Sequence, residues 1–135
     1  VTKDNFNNLV EIGNLLKDYS IDIWKIYEFT PQEVSALKNR SSLEVSREQF
    51  GKATKNLGKD FSKFFKVIIS KRKNRNAAYF FINPDGGVFV PVDDSNICRQ
   101  YKIGDIFDFD ILNKWKKAVQ KNNYTNNIKA TFNFK

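Results

Sequence analysis

The residue types that most often carry chemistry in proteins are nearly absent from this sequence. It contains one cysteine, Cys98, and no histidine among its 135 residues. The missing histidine removes the commonest general base, the commonest metal ligand and any Ser–His or Cys–His nucleophile. One thiolate cannot supply the three or four ligands of an iron–sulfur cluster or a structural zinc site. The sequence therefore predicts no catalytic residue and no metal site within the chain.

Lys25 is the charged residue whose position raises a functional question. It lies in the segment 21–29, IDIWKIYEF, whose β-branched and aromatic residues predict a strand that ends at Thr30-Pro31. Because strand residues alternate between faces, Lys25 shares its face with Ile21, Ile23, Tyr27 and Phe29. The lysine either reaches solvent from the strand end or projects into a polar interior, where it would hold a phosphate or carboxylate group. Burial of an unpaired ammonium is costly, so the residues alone leave both interpretations open.

Other charged groups give weaker indications of function. The net charge is +8, and Lys71-Arg72-Lys73-Asn74-Arg75 is the one tight basic cluster. An anionic partner would account for this charge, but so would lysines spread over a solvated surface. Asp93-Asp94 could ligate a metal with Asp105 or Asp108, although loop carboxylates are usually solvated.

The hydrophobic pattern predicts mixed helices and strands. We expect a helix over 4–18, the strand over 21–29, and a helix that Ser46 caps with Gln49 and Gly58 ends. Further along, we expect a strand over 64–70, a loop that holds Cys98, a helix from Asp108 or Asp110, and a short strand over 128–134. The strongest hairpin signal is Asn83-Pro84-Asp85-Gly86-Gly87 between two apolar runs, where the turn requires a glycine with positive φ.

Composition bounds the compartment and the class of fold. Hydrophobic residues make up 41% of the chain and aromatic residues 15%, so a packed core is expected. No apolar run approaches 18 residues, which predicts no membrane span, and the cysteine usage favours a cytoplasmic protein. The fold class expected is α/β with mixed α+β character. The chain opens within a residue or two of a helix cap, which suggests a piece of something longer.

The order of several motifs resembles the end of a radical S-adenosylmethionine (radical SAM) protein. Val1-Thr2-Lys3-Asp4-Asn5, the following helix and the run WKIYEFTP over 24–31 look like the last part of a radical SAM barrel. The run YFFINPDGGVFVP over 79–91, then Ile103-Gly104-Asp105-Ile106 and a helix with Trp115, resembles the carboxy-terminal extensions of that superfamily. The order and spacing are most similar to the viperin-like branch.

The resemblance implies a fold and a function. Residues 1–60 would be the last helix–strand unit of a partial (β/α)6 barrel, and residues 61–135 an extension with a β-hairpin and a helix. The full-length protein would carry a 4Fe-4S cluster and cleave S-adenosylmethionine reductively for radical chemistry on an unknown substrate. The family's Cys-x-x-x-Cys-x-x-Cys motif is absent here, so this chain alone would be inactive and bind neither cofactor. Pro91 is followed by Val92 where the family often has cysteine, which argues against an auxiliary cluster.

The resemblance also implies site residues and partners. Lys3 and Lys25 match places where viperin-like enzymes put basic residues at the cavity, and Tyr27 and Phe29 would line the adenosine and substrate cavity. The expected partners are the missing amino-terminal half of the barrel, an anionic small-molecule substrate and, through exposed strand edges, a second copy. Two alternatives remain: a basic nucleic-acid-binding module built on residues 71–75, which is disfavoured, and a small protein-interaction domain.

Overall fold

A computed structural model describes residues 1–94 and 97–119, apart from the side chains of 33–35 and 94. The chain is a mixed α/β protein, as the sequence predicted. Its elements follow in the order α1 (Leu9–Leu16), β1 (Ile23–Tyr27), α2 (Glu33–Lys38), α3 (Arg40–Leu43), α4 (Arg47–Thr54), α5 (Leu57–Asp60), β2 (Lys66–Ser70), a short 3-10 helix (Arg72–Asn74), β3 (Phe81–Ile82), β4 (Gly87–Asp94), β5 (Ile97–Asp105) and α6 (Ile111–Ala118).

The contacts divide these residues into two compact units. The first unit comprises Val1–Phe29 and Asn39–Lys71. The second comprises Thr30–Lys38 and the described residues from Arg72 onward. The division into residues 1–60 and 61–135 stays a prediction. In the described part of the chain the two sheets have two and three strands, so the partial barrel stays a prediction too.

The first unit is built on a parallel pair of strands. β1 pairs with β2 so that Trp24 lies beside Val67 and Ile26 beside Ile69. Parallel neighbours need a long crossover, which the chain between them supplies. The predicted strand over 21–29 is confirmed at its centre, and the one over 64–70 from Lys66 onward.

One face of this pair packs against the helices. Trp24 meets Phe61 and Phe65 edge-on, with ring centroids 5.9 and 6.1 Å apart, and the two phenylalanine rings stack at 5.6 Å. Such aromatic pairs add to the stabilisation from burial. The buried core of this unit consists of Leu9, Ile26, Val45, Phe50, Leu57, Phe61 and Phe65. Gly13 lets α1 approach the Phe61 ring so closely that a Cβ atom there would overlap it.

The sequence predicted the start of α4 correctly and its end wrongly. Ser46 caps α4 with both hydrogen bonds of the capping box to Gln49, as predicted. The prediction that Gly58 ends this helix is wrong. α4 ends at Thr54, whose hydroxyl donates to the Phe50 carbonyl at 2.8 Å, and Gly58 lies inside α5.

The second unit contains an antiparallel sheet in the order β3-β4-β5. The β3–β4 hairpin turns at the predicted residues: the Gly86 N–H donates to the Asn83 carbonyl at 2.9 Å, and Gly86 has φ +85°. The Asp85 carboxylate accepts from the Gly87 N–H at 3.0 Å. A glycine is needed at Gly86 because its backbone lies in the left-handed region.

The stretch after this hairpin differs from the prediction. Cys98 lies in β5 opposite Asp93 of β4 rather than in a loop, and its thiol is buried. Strand pairing over the length of β4 stabilises this polar segment, which periodicity alone did not indicate. α6 follows, with Asp110 as its N-cap residue. The predicted strand over 128–134 lies outside the described residues. In the part of the chain that is described, no helix is long and apolar enough to cross a membrane.

Candidate functional site

The face of β1 opposite the core of the first unit carries two of the predicted site residues. Trp24 and Ile26 point into the core of the first unit, so Lys25 and Tyr27 lie on the opposite face. The Lys25 ammonium lies 5.3 Å from the centre of the Tyr27 ring. This distance suits a cation–π contact. Lys25 is half-buried, and Tyr27 is 47% exposed.

The neighbouring strand continues this face with different side chains. Ile68 lies beside Lys25 and Ser70 beside Tyr27, and both are buried. The face therefore combines an ammonium group, a phenol, a hydroxyl and an apolar side chain. An ammonium group beside a phenol can bind an anionic group through charge-assisted hydrogen bonds.

The other two predicted site residues lie differently. The Lys3 ammonium donates to the Ser41 carbonyl at 2.5 Å, and its backbone N–H donates to the Leu43 carbonyl at 3.0 Å, so Lys3 is tied to α3. Phe29 is half-buried and lies two residues beyond the end of β1. The structure thus brings Lys25 and Tyr27 together, while the shared cavity that would include Lys3 and Phe29 stays a prediction.

The described chain does not fit an iron–sulfur cluster. Such a cluster requires several convergent thiolates, and the one cysteine is buried at 6% exposure in β5. Among the described residues, no group of three or more cysteines, aspartates or glutamates converges as a metal site would require. The cluster that the resemblance implies would need thiolates that these 135 residues do not contain.

The basic cluster is largely committed to contacts within the second unit. The Arg72 guanidinium pairs with the Asp93 carboxylate, and that of Arg75 donates to the Thr30 hydroxyl. Both arginines are buried, whereas Lys71 and Lys73 are exposed. Buried arginines cannot neutralise nucleic-acid phosphates, so the cluster gives little support to the nucleic-acid alternative.

The turn between β5 and α6 is held by a carboxylate. Asp108 accepts hydrogen bonds from the Asp105 N–H at 3.0 Å and from the Lys114 ammonium at 2.9 Å. The Lys114 hydrogen bond, followed by the Asp105 N–H, lowers the pKa of Asp108 below its usual value. The same contact with Asp108, followed by one with Asp110, raises the pKa of Lys114. Asp108 is therefore ionised near neutral pH.

Sequence reasoning missed an apolar groove beside this turn. The groove belongs to the second unit, has a volume of about 210 Å³, and is lined by Phe80, Ile82, Val88, Ile106, Ile111, Leu112 and Trp115. Next to it, the side chains of Phe107 and Phe109 are 87% and 103% exposed. The alternation Phe-Asp-Phe-Asp over 107–110 was the available signal, because it places two aromatic residues in a polar turn.

Comparisons with known proteins do not assign this chain to a family. No protein-family model matches it, and neither the curated proteins nor the solved structures include a match.

Proposed function

We propose that this chain forms the carboxy-terminal part of a radical SAM enzyme. In this proposal, β1 is the sixth strand of the barrel, and its Lys25–Tyr27 face looks into the substrate cavity. The observation that carries the proposal is the position of Lys25. It is a half-buried lysine in the middle of a strand, on the face opposite a packed aromatic core. An apolar residue would pack better there, so a role in holding an anion accounts for the lysine.

The edges of β1 support the same assignment. In a parallel ladder, alternate residues bond to opposite neighbours. Lys66 N–H donates to the Asp22 carbonyl and Glu28 N–H to the Ser70 carbonyl, so the even-numbered residues face β2. The Tyr27 carbonyl points to the other edge, where the Val1 nitrogen lies at 2.7 Å. In this proposal, Val1 and Thr2 are the end of the fifth strand of the barrel, next to β1.

The cofactor chemistry would come from outside this chain. The 4Fe-4S cluster and S-adenosylmethionine would supply a radical when bound in the complete protein. The residues described here would bind the anionic group of the substrate through Lys25, orient it against Tyr27 and help to exclude water. The amino-terminal half of the barrel is the proposed partner of the edge of β1 that lies opposite β2.

Mutation of Lys25 in the protein encoded by the complete reading frame tests this role. Lys25→Ala should abolish substrate turnover or raise KM strongly, because the anionic group loses its counter-charge. Cleavage of S-adenosylmethionine without substrate should continue, since Lys25 is assigned to the substrate. Lys59→Ala, which removes an exposed helix lysine, is the matched control and should behave as the wild type.

The outcomes distinguish a failure of the role proposed for Lys25 from a failure of the radical SAM proposal. Equal turnover by the wild type and Lys25→Ala would favour the other interpretation, in which Lys25 reaches solvent from the strand. A reading frame without an upstream Cys-x-x-x-Cys-x-x-Cys motif would remove the radical SAM proposal altogether. The remaining alternative, a protein-interaction domain, is favoured by one observation, the apolar groove of the second unit.

A further inference from the structure

We infer that Lys25 of β1 and Lys66 of β2 together form a binding site for a dianionic group, such as the phosphate of a phosphate monoester. The role of Lys25 in binding an anion is taken from the proposed function, on which this inference rests. Lys66 is the new residue of the site. With it, the substrate class narrows from anions in general to small molecules that carry a dianionic group.

The register of the parallel strand pair places the two lysines on one face. Lys66 lies beside Ile23, and Ile68 lies beside Lys25. Adjacent residues of neighbouring strands share a face, and every second residue along a strand returns to it. Lys66 therefore projects on the same side as Lys25. The core of the first unit lies on the opposite side, where Val67 packs against it.

The two lysines are close enough to contact the same group. Two residues along a strand span about 6.6 Å and neighbouring strands lie about 4.8 Å apart, so the two Cα atoms are separated by roughly 8 Å. Each ammonium group stands on a flexible four-carbon stem, which allows both to contact the oxygens of one phosphate. Lys25 and Lys66 are both half-buried. An anion between them is therefore partly shielded from water, which strengthens its attraction to both charges.

The charges on this face favour an anion with two negative charges. Besides the two lysines, the paired strand residues of this face are uncharged: Ile23, Tyr27, Ile68 and Ser70. The two ammonium groups repel each other, so this pair of lysines does not stabilise the strand pair by itself. A carboxylate neutralises one of them, whereas the phosphate of a monoester carries about 1.5 to 2 negative charges near pH 7. A dianion can therefore pair with both lysines at once.

The small number of charges favours a small molecule over a nucleic acid. Nucleic acids are bound through many basic side chains that follow a row of phosphates. On this face, two half-buried lysines stand among uncharged strand residues, which suits one phosphate group. The ring of Tyr27, which is 47% exposed, lies next to Lys25 and can contact an apolar part of the same molecule.

Isothermal titration calorimetry of the full chain with phenyl phosphate tests the site, at about pH 8, where the phosphate is a dianion. The wild type should bind phenyl phosphate more tightly than benzoate, a monoanion with the same ring. Lys66→Met keeps a long unbranched side chain and removes the charge. It should weaken the binding of phenyl phosphate about ten- to a hundredfold, as expected for the loss of a hydrogen bond to a charged group. Its affinity for benzoate should change little, because Lys25 alone can pair with a carboxylate.

Three further variants control for charge and for folding. Lys25→Met should weaken the binding of both ligands, and Lys66→Arg, which keeps the charge, should preserve the binding of phenyl phosphate. Lys59→Met removes an exposed lysine of α5 and changes the net charge by the same amount, so it should behave as the wild type. Circular dichroism checks that each variant is folded, and Lys66→Gln replaces Lys66→Met if the latter is not.

The outcomes distinguish a failure of this site from a failure of the proposed function. Phenyl phosphate that binds no more tightly than benzoate, or that binds Lys66→Met as well as the wild type, overturns the two-lysine site. An equal loss in Lys59→Met and Lys66→Met overturns it also, because attraction to the net charge would then explain the binding. If Lys25→Met alone weakens binding, Lys66 is excluded while the role proposed for Lys25 stands. The titration involves neither a cluster nor S-adenosylmethionine, so a reading frame without the cysteine motif would leave its result unchanged.

Discussion

The contact between Gly13 and Phe61 predicts that the same substitution has opposite effects in two helices. In α1, an added Cβ at Gly13 would overlap the Phe61 ring, with its Cε2 atom only 2.6 Å away. In α4, an added Cβ at Gly51 would meet nothing within 4 Å. Both glycines lie inside helices, so Gly→Ala gives both the same gain in helix propensity. The difference between them isolates the contact with the ring.

The expected change in the free energy of unfolding follows from two opposing effects. Replacing a helix glycine by alanine stabilises by about 0.5 to 1 kcal/mol. Overpacking a core costs about 1 to 3 kcal/mol, and Phe61 has little room to move because it is 2% exposed and stacked on Phe65. We therefore expect Gly13→Ala to lower the free energy of unfolding by about 1 kcal/mol and Gly51→Ala to raise it by about 0.5 to 1 kcal/mol.

Urea unfolding followed by fluorescence measures both effects. A Trp115→Phe background leaves Trp24 as the one tryptophan, and Trp24 contacts Phe61 in the core concerned. Phe61→Leu should reduce the cost of Gly13→Ala, because the two residues are in contact and their effects do not add. Equal stabilisation by Gly13→Ala and Gly51→Ala would refute the packing of α1 described here.

Three further predictions concern the second unit. Asp93→Asn should lower the free energy of unfolding by about 3 kcal/mol, because it removes the carboxylate that faces the buried Arg72, and a loss below about 1 kcal/mol in urea unfolding would contradict this. Gly86→Val should lower the melting temperature, since valine is strained at φ +85°, and an unchanged value would count against the turn. The pKa of Asp108 is lower in the folded chain than in the unfolded one. The stability that its ionised carboxylate contributes is therefore present above the usual carboxyl pKa and is lost as the pH falls through the folded pKa. Asp108→Asn should therefore flatten the acid limb of the stability curve below about pH 4, and an unchanged limb would argue against this assignment.

Features determined by neighbouring residues could be predicted from the sequence. The capping box at Ser46 involves residues three apart, and the turn at Asn83–Gly86 involves four, so side-chain chemistry alone specifies them. The length of β5 could not be predicted. Its exposed residues Arg99 and Lys102 suit a loop as well as a strand, and only pairing with β4 selects the strand.

The candidate site shows the same limit. Alternation along β1 places Lys25 and Tyr27 on one face, but it does not say which face is packed. That depends on Phe61 and Phe65, which follow more than 30 residues later. Likewise, nothing near Arg72 in the sequence indicates that it is buried, because its partner Asp93 lies 21 residues away.

The measurement that tests the central proposal most directly is the formation of 5′-deoxyadenosine from S-adenosylmethionine under anaerobic, reducing conditions. Two proteins should be compared after treatment with iron and sulfide: the product of the complete reading frame and the chain of 135 residues. We expect the first to form 5′-deoxyadenosine and to show cluster absorbance, whereas the second, with Cys98 as its one thiol, should do neither. A stoichiometric cluster on the shorter chain, or no 5′-deoxyadenosine from the complete protein, would contradict the proposal.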